Sequence, residues 1–245
     1  MVSFFGITRL GKRAKNEDYF DIWNKDGRYL FAVADGLGGH KKGEVASKTV
    51  VKTSMAVAEY EASDANILDS CFNEGQKLLL QEQKKHHMEN DMKTTEVILY
   101  INGNTARWGH VGDSRLYRFK TGLFSKMAER TIDHSAVQNL VLMGRMKEKD
   151  IRGSEDRNKL LRAMGMEWDS PKQTLSPEHR LEKNDSFLLC TDGFWEQITE
   201  KEMLACLKRS ATPEQWLRLM EDIILRNIER TGKSDNYTAV AVFSR

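Results

Sequence analysis

Apolar and polar positions change rhythm several times along this chain, and each change marks an element. The chain opens with short runs of strand character at 4–8, 19–23 and 29–34, rich in aromatic and β-branched residues. The rhythm then lengthens. GEVASKTVVKTSMAVAEYE puts Val45, Val50 or Val51, Met55 and Ala58 near one face, and 65–89 spaces Ile67, Leu68, Cys71, Leu78 and Leu79 at three- and four-residue steps. Both segments predict helices. Strands resume as TEVILYIN, TARWGHV and SRLYRF, the first two joined by Asn102-Gly103-Asn104, a hairpin signal. A polar, partly helical stretch covers 131–167. Strand character returns at 173–181 and 186–190, helical character at 201–208 and 213–230, and YTAVAVF predicts a last strand. Strands in blocks with short turns, and helices in pairs, predict an antiparallel α+β layered fold rather than alternating βαβ units.

At 245 residues, 40 % of them hydrophobic and 30 % charged, the chain suits one large domain or at most two small ones with a substantial core. No repeat, low-complexity tract or linker divides it. Net charge is +2 with both signs dispersed, which lends nucleic-acid binding no support, and none is expected. Cys71, Cys190 and Cys206 lack CxxC spacing and read as core thiols of a reducing compartment. The opening MVSFFGITRLGKR is too short in apolar residues for a signal peptide, and no run approaches the roughly 20 residues of a membrane span. A soluble cytoplasmic chain is expected.

The stretch FAVADGLGGH, Phe31 to His40, carries the first candidate chemistry. An apolar run delivers Asp35 into a glycine-rich loop, which suits either backbone N–H groups approaching a phosphate or a bare carboxylate holding a metal ion. The dinucleotide pattern GxGxxG needs a third glycine where this chain has Lys41, and the neighbouring elements are not βαβ. No Gly-Lys-Ser/Thr closes a Walker loop, and Asp35 would repel a phosphate unless a cation intervened. The metal reading gathers company. FLLCTDG runs another apolar strand into Asp192-Gly193, GHVGDSR sets Asp113 between strands, SDNYTAVAVF puts Asp235 ahead of a strand, and RAKNEDYF offers Glu17 and Asp18. Turn propensity explains any one of these; it explains the set less well. Carboxylates converging at strand ends would repel by about 4 kcal/mol per pair at about 4 Å and an effective dielectric near about 20. Divalent cations remove that conflict, and all-oxygen ligands select hard ions such as Mg²⁺ or Mn²⁺.

With these residues in view, the chain resembles the metal-dependent protein phosphatases, the PPM or 2C-type family, and most of all the compact bacterial serine/threonine phosphatases. Six blocks occur in family order over nearly the whole chain: RAKNED, DGLGGHKKGEVAS, GHVGDSRLYRF, DHSAVQNLVLMG, TDGFWE and SDNYTAV. The resemblance implies a single catalytic domain over 1–245. Its implied fold is a four-layer α-β-β-α sandwich, two central antiparallel β-sheets flanked by helix pairs, with a flap segment at about 133–165 beside the site.

It also implies roles. Asp35 would bridge two Mg²⁺ or Mn²⁺ ions, with the backbone carbonyl of Gly36 a ligand of one, and Asp192 and Asp235 would complete the other. Asp113 would hold a third, weaker ion with help from Asp192, while Glu17 and Asp18 would steady metal-bound waters. Arg13 would grip the substrate phosphate bidentately; Arg9 and Lys12 read as solvated surface cations. The implied reaction is hydrolysis of phosphoserine and phosphothreonine in proteins by direct attack of a metal-bridging hydroxide. Cys190, in a core strand without a phosphate-cradling loop, has no part in it. Some relatives carry a histidine two residues after the bridging aspartate as proton donor. Here that position is Leu37, and His40, three residues on, reads as a loop hydrogen-bonder. The implied partners are phosphorylated proteins and an opposing serine/threonine kinase, and nothing in the chain requires more than a monomer. The alternative from another class is an inactive pseudophosphatase that binds phosphoproteins.

Overall fold

The computed structural model describes all residues except 38–41, 62–63, 89–90, 123–124, 171, 233 and 245. Three strands, β1 (Val2–Arg9), β2 (Asp18–Lys25) and β3 (Arg28–Asp35), lead into helices α1 (Gly43–Tyr60) and α2 (Ile67–His86). The strands β4 (Glu96–Asn102), β5 (Thr105–Val111), β6 (Arg115–Lys120) and β7 (Lys126–Arg130) follow, then α3 (Ala136–Leu142) and a 3-10 turn at Glu148–Gly153. The chain closes with β8 (Thr174–Leu175), β9 (His179–Arg180), β10 (Asp185–Cys190), the one-turn helix α4 (Asp192–Trp195), α5 (Glu200–Lys208), α6 (Pro213–Thr231) and β11 (Tyr237–Ser244).

The strands form two sheets, ordered β1-β11-β10-β6-β7 and β2-β3-β4-β5-β8, with β9 also on β5. Neighbours are antiparallel throughout. Side chains of a strand alternate between faces, and β3 shows why its run is apolar without a break. Phe31 and Val33 point into the layer between the sheets, with Val97, Leu99, Phe187, Leu189, Val240 and Val242. Leu30, Ala32 and Ala34 meet α1 and α2 through Val50, Cys71, Phe72 and Leu79. On the far side Leu188, Ala239, Ala241 and Phe243 pack on Trp216, Leu217, Met220 and Ile224 of α6. Helix, sheet, sheet and helix therefore stack in four layers, as expected.

Local deviations have local causes. The stretch expected as one strand at 173–181 is two dipeptide strands on either side of Pro177, which lacks the N–H a continuous ladder needs. Lys126–Arg130, KMAER, is too polar to announce itself, yet pairs as β7 on the edge of its sheet. The helix expected over 65–89 is observed over Ile67–His86, its end marked by His87 in the left-handed region (φ 53°). Gly232 (φ 71°) ends α6 and turns the chain towards Asp235.

Register then gathers the acidic turns at one edge of the sandwich. Asp18 lies opposite Asp35 in the β2–β3 ladder. Cys190, at the end of β10, is opposite both Arg115 and Ala239, and Arg9 is opposite Tyr237. Six strands predicted separately thus have ends in these pairings.

Candidate active site

Each acidic residue is held by its own backbone before it meets the others. Asp35 ends β3 with its N–H donated to Thr95 Oγ1 (3.0 Å), and its carbonyl accepts from Thr95 N–H (2.9 Å) and Thr94 Oγ1 (2.7 Å). Gly36 donates its N–H to the Glu17 carbonyl (3.0 Å), and a Cβ there would lie 2.3 Å from the Gly43 carbonyl oxygen. Only glycine fits that crossing. Asn236 fastens the opposite wall. Its amide donates to the Leu10 and Lys15 carbonyls (both 2.9 Å), its side-chain oxygen accepts from Glu17 N–H (2.9 Å), and its N–H donates to Asp235 Oδ1 (2.8 Å).

These segments surround a cavity of about 150 Å³ lined by Arg13, Glu17, Asp35, Gly36, Leu37, Asp113, Asn158, Leu160, Asp192, Asp235 and Asn236. Of the sequence-predicted site residues, only Asp18 is not on its walls. Asp18 is buried beside Asp35, where Thr191 Oγ1 donates to its Oδ2 (2.9 Å) and its Oδ1 has no hydrogen-bond partner among the described residues. Asp113 is 5 % exposed, and its carbonyl accepts from Trp195 Nε1 (3.0 Å). Arg13 stands at the mouth, donating from Nε and Nη2 to both oxygens of Asp235 at 2.8 and 2.5 Å. Gly38, Gly39 and His40, with the expected loop contact of His40, lie outside the described residues.

Crowding sets the electrostatics. Burial, then the charges of Asp192, Asp18, Asp113 and Asp235, push the Asp35 carboxyl well above its usual range. Burial and then Asp192 do the same to Asp113, and burial and then Asp235 raise Asp192. Burial lifts Asp18 to about 7. Each carboxylate makes its neighbours harder to ionise, so the cluster favours added positive charge. Among the described residues no three or more His, Cys, Asp or Glu side chains close into a ready-made metal cage; the acids ring the cavity instead. An all-oxygen donor set, with a buried carboxylate oxygen lacking a partner, fits hard divalent cations that keep part of their water shell.

Sequence reasoning missed Asn158, which reaches the cavity from the flap segment, and the clamps Thr191 and Asn236. Asn236 had a faint signal, an Asx residue in a turn; Asn158 had none. Also missed was Glu196, raised to about 7 first by burial and then by Asp192, and salt-bridged to Arg157.

The profile of the family described as protein phosphatase 2C matches residues 5–232. The serine/threonine phosphatase stp of Listeria monocytogenes is 29 % identical over 238 residues, covering 94 % of this chain and 90 % of that protein. Among solved structures, the serine/threonine phosphatase Stp1 from Staphylococcus aureus superposes with a TM-score of 0.88 at 27 % identity, covering 100 % of this chain and 96 % of its own. The catalytic domain of the serine/threonine protein phosphatase PstP, in complex with two manganese ions, gives 0.80 at 28 % identity, covering 99 % and 97 %.

Proposed function

The chain belongs to the protein phosphatase 2C family, and from that premise we propose that it is an active protein serine/threonine phosphatase using two Mg²⁺ or Mn²⁺ ions at the acidic cavity. The observation that carries the reading is the meeting of Glu17, Asp35, Asp113, Asp192 and Asp235 with Arg13 around one cavity. The alternative of a phosphoprotein binder without turnover would leave this many acids crowded together to no purpose.

Asp35, the Gly36 carbonyl, Asp192 and Asp235 would hold the two ions, Asp113 with Asp192 a third and weaker one, and Glu17 and Asp18 the waters around them. When bound, such ions lower the pKa of water and neutralise charge on a phosphoryl group. The protein's own groups do the rest. Arg13 presents a planar fork, already used bidentately on Asp235, that matches two phosphate oxygens equally well. The Arg13–Asp235 pair is exposed, 54 % and 39 % by side chain, so it contributes at most about 1 kcal/mol, and exchange of Asp235 for phosphate costs little. Backbone hydrogen bonds fix Asp35 and Asp235 before substrate arrives, so little reorganisation is left for the reaction. Leu37 lines the cavity and has no proton to give, and the donor proposed for the leaving-group proton is water.

The segment at about 133–165 acts as a flap that shapes access, supported by Asn158 and Leu160 in the cavity wall. Phosphorylated proteins are the substrates, opposite a serine/threonine kinase in cytoplasmic signalling, with the chain acting as a monomer. The three buried free thiols suit a reducing compartment, and among the described residues no helix is long and apolar enough to cross a membrane. The test is phosphate release from a phosphothreonine peptide by purified protein, with Mn²⁺ and then with EDTA. Release that requires Mn²⁺ is expected; folded, Mn²⁺-loaded protein that releases none would refute the reading.

A further inference from the structure

Beside the acidic cavity lies a larger groove of about 720 Å³, and Arg13, Asn158, Asp192 and Asp235 line both. Pockets of roughly 300–1,000 Å³ take drug-sized ligands, so the groove has room for side chains next to a phosphorylated residue. Its charges are not all balanced. Arg13 is paired with Asp235, Arg157 with Glu196, and Arg152 with Glu200 (2.7 Å). Lys12 and Arg230 have no carboxylate partner among the described residues. Lys12 Nζ donates to the Gly232 carbonyl (3.1 Å) and Arg230 Nη2 to Asn227 Oδ1 (3.3 Å), and both side chains are exposed. Both cations line the groove near the end of α6, whereas Glu155 of the groove, with no cation partner among the described residues, belongs to the flap segment.

We propose that this groove receives the substrate chain, and that Lys12 and Arg230 select phosphorylated segments with an acidic residue near the phosphoserine or phosphothreonine. The inference rests on the phosphatase reading above. Arg13, the phosphate-gripping group of that reading, lines the same groove as Lys12 and Arg230, so an acidic neighbour of the phosphoresidue lying along the groove would meet these cations. A cation near a helix C-terminus also offsets the helix dipole, and thermal stability of the variants reports that contribution separately. Exposed charge pairs are weak, so each cation is expected to contribute about two- to fivefold in kcat/KM.

The experiment compares kcat/KM of the Mn²⁺-loaded full chain on two phosphothreonine peptides that differ only in Asp or Asn beside the phosphoresidue. The wild type prefers the acidic peptide, the preference shrinks in 0.5 M NaCl through screening, Lys12→Ala/Arg230→Ala loses it, and Lys12→Glu/Arg230→Glu reverses it. Equal rates on both peptides by the wild type, or an unchanged preference in the double variant, would overturn the proposal. Turnover of p-nitrophenyl phosphate by the wild type separates the two failures. If it proceeds without a flank preference, only the groove assignment falls; if it too is absent, the phosphatase reading falls and takes this one with it.

Discussion

Glu96, at the start of β4, is fully buried, yet only one of its carboxyl oxygens is satisfied among the described residues: Ser54 Oγ–H donates to Oε1 (2.8 Å) and Oε2 has no partner. Burial pushes its pKa up to about 8 against the opposing effect of the Ser54 hydrogen bond. The folded state therefore holds a proton that the unfolded state, near its ordinary value of 4.5, gives up. Stability from that proton is complete below the unfolded pKa and is lost as pH rises through the folded one. Between pH 5.5 and 7.5 the wild type should lose about 1.4 kcal/mol per pH unit more than Glu96→Gln, whose amide can keep the Ser54 contact without titrating. Urea unfolding at three pH values measures it, and parallel slopes for the two proteins would refute it. The catalytic cavity lacks this privacy, since its carboxyls shift through one another. That difference explains what was legible. Asp35, Asp113, Asp192 and Asp235 stood out because acids at the ends of apolar strands are costly without a partner. Asn158 is silent in the sequence because only tertiary contact brings its loop to the cavity, and Thr191 looks like any strand-end threonine until its hydroxyl meets Asp18.

At the scale of elements, the site depends on how α4 and the start of the flap are tied to β6. Arg115 is buried at the start of β6 with its fork on Asp133, at 2.8 and 2.6 Å, and its guanidinium lies 3.4 Å from the centre of the Trp195 ring. Trp195 in turn donates its indole N–H to the Asp113 carbonyl. One cation thus joins β6, α4, the flap and a cavity wall. Asp133→Ala should cost about 3–5 kcal/mol, the penalty of leaving a buried charge unpaired. The lower end applies because Glu200 remains 3.8 Å from Arg115 and the Tyr117 hydroxyl accepts from it at 3.0 Å. A shift in the urea midpoint measures it, and a loss below about 1 kcal/mol would show the pair to be dispensable. None of this tie was readable in GDSR or DHS, where arginine and aspartate pass for turn and loop residues. The long elements were readable, because α1, α2, α6 and the central strands each bury a periodic face. β7 was not, because an edge strand with a polar sequence is defined by its neighbour rather than by its own pattern, and of the stretch at 173–181 the strand character was read but not its break at Pro177.

At the scale of the whole molecule, the two sheets hold like charges at one edge that would separate if the chain unfolded. The core between and outside the sheets absorbs that strain, and the site is a place where stability is given up for function. Divalent cations should return it. A ligand that binds only the folded state stabilises by about 2.7 kcal/mol at one hundred times its Kd. For a chain of this size that corresponds to a rise in Tm of roughly 5–10 °C, at about 2–4 °C per kcal/mol. Mn²⁺ should produce the rise and EDTA abolish it. Asp192→Ala separates the carboxyl's role in the site from any role in the fold. It removes one of the mutually raised carboxylates, so in EDTA the variant should melt no lower than the wild type, with the same far-UV circular dichroism. With Mn²⁺ its thermal shift should shrink, and phosphate release should fall by more than about a hundredfold, the scale seen when a preorganised electrostatic group is lost. A variant that melts well below the wild type in EDTA would make Asp192 part of the scaffold. One that keeps the full Mn²⁺ shift and near-normal turnover would remove it from the metal site and leave Asp35 and Asp235 to hold the ions without it.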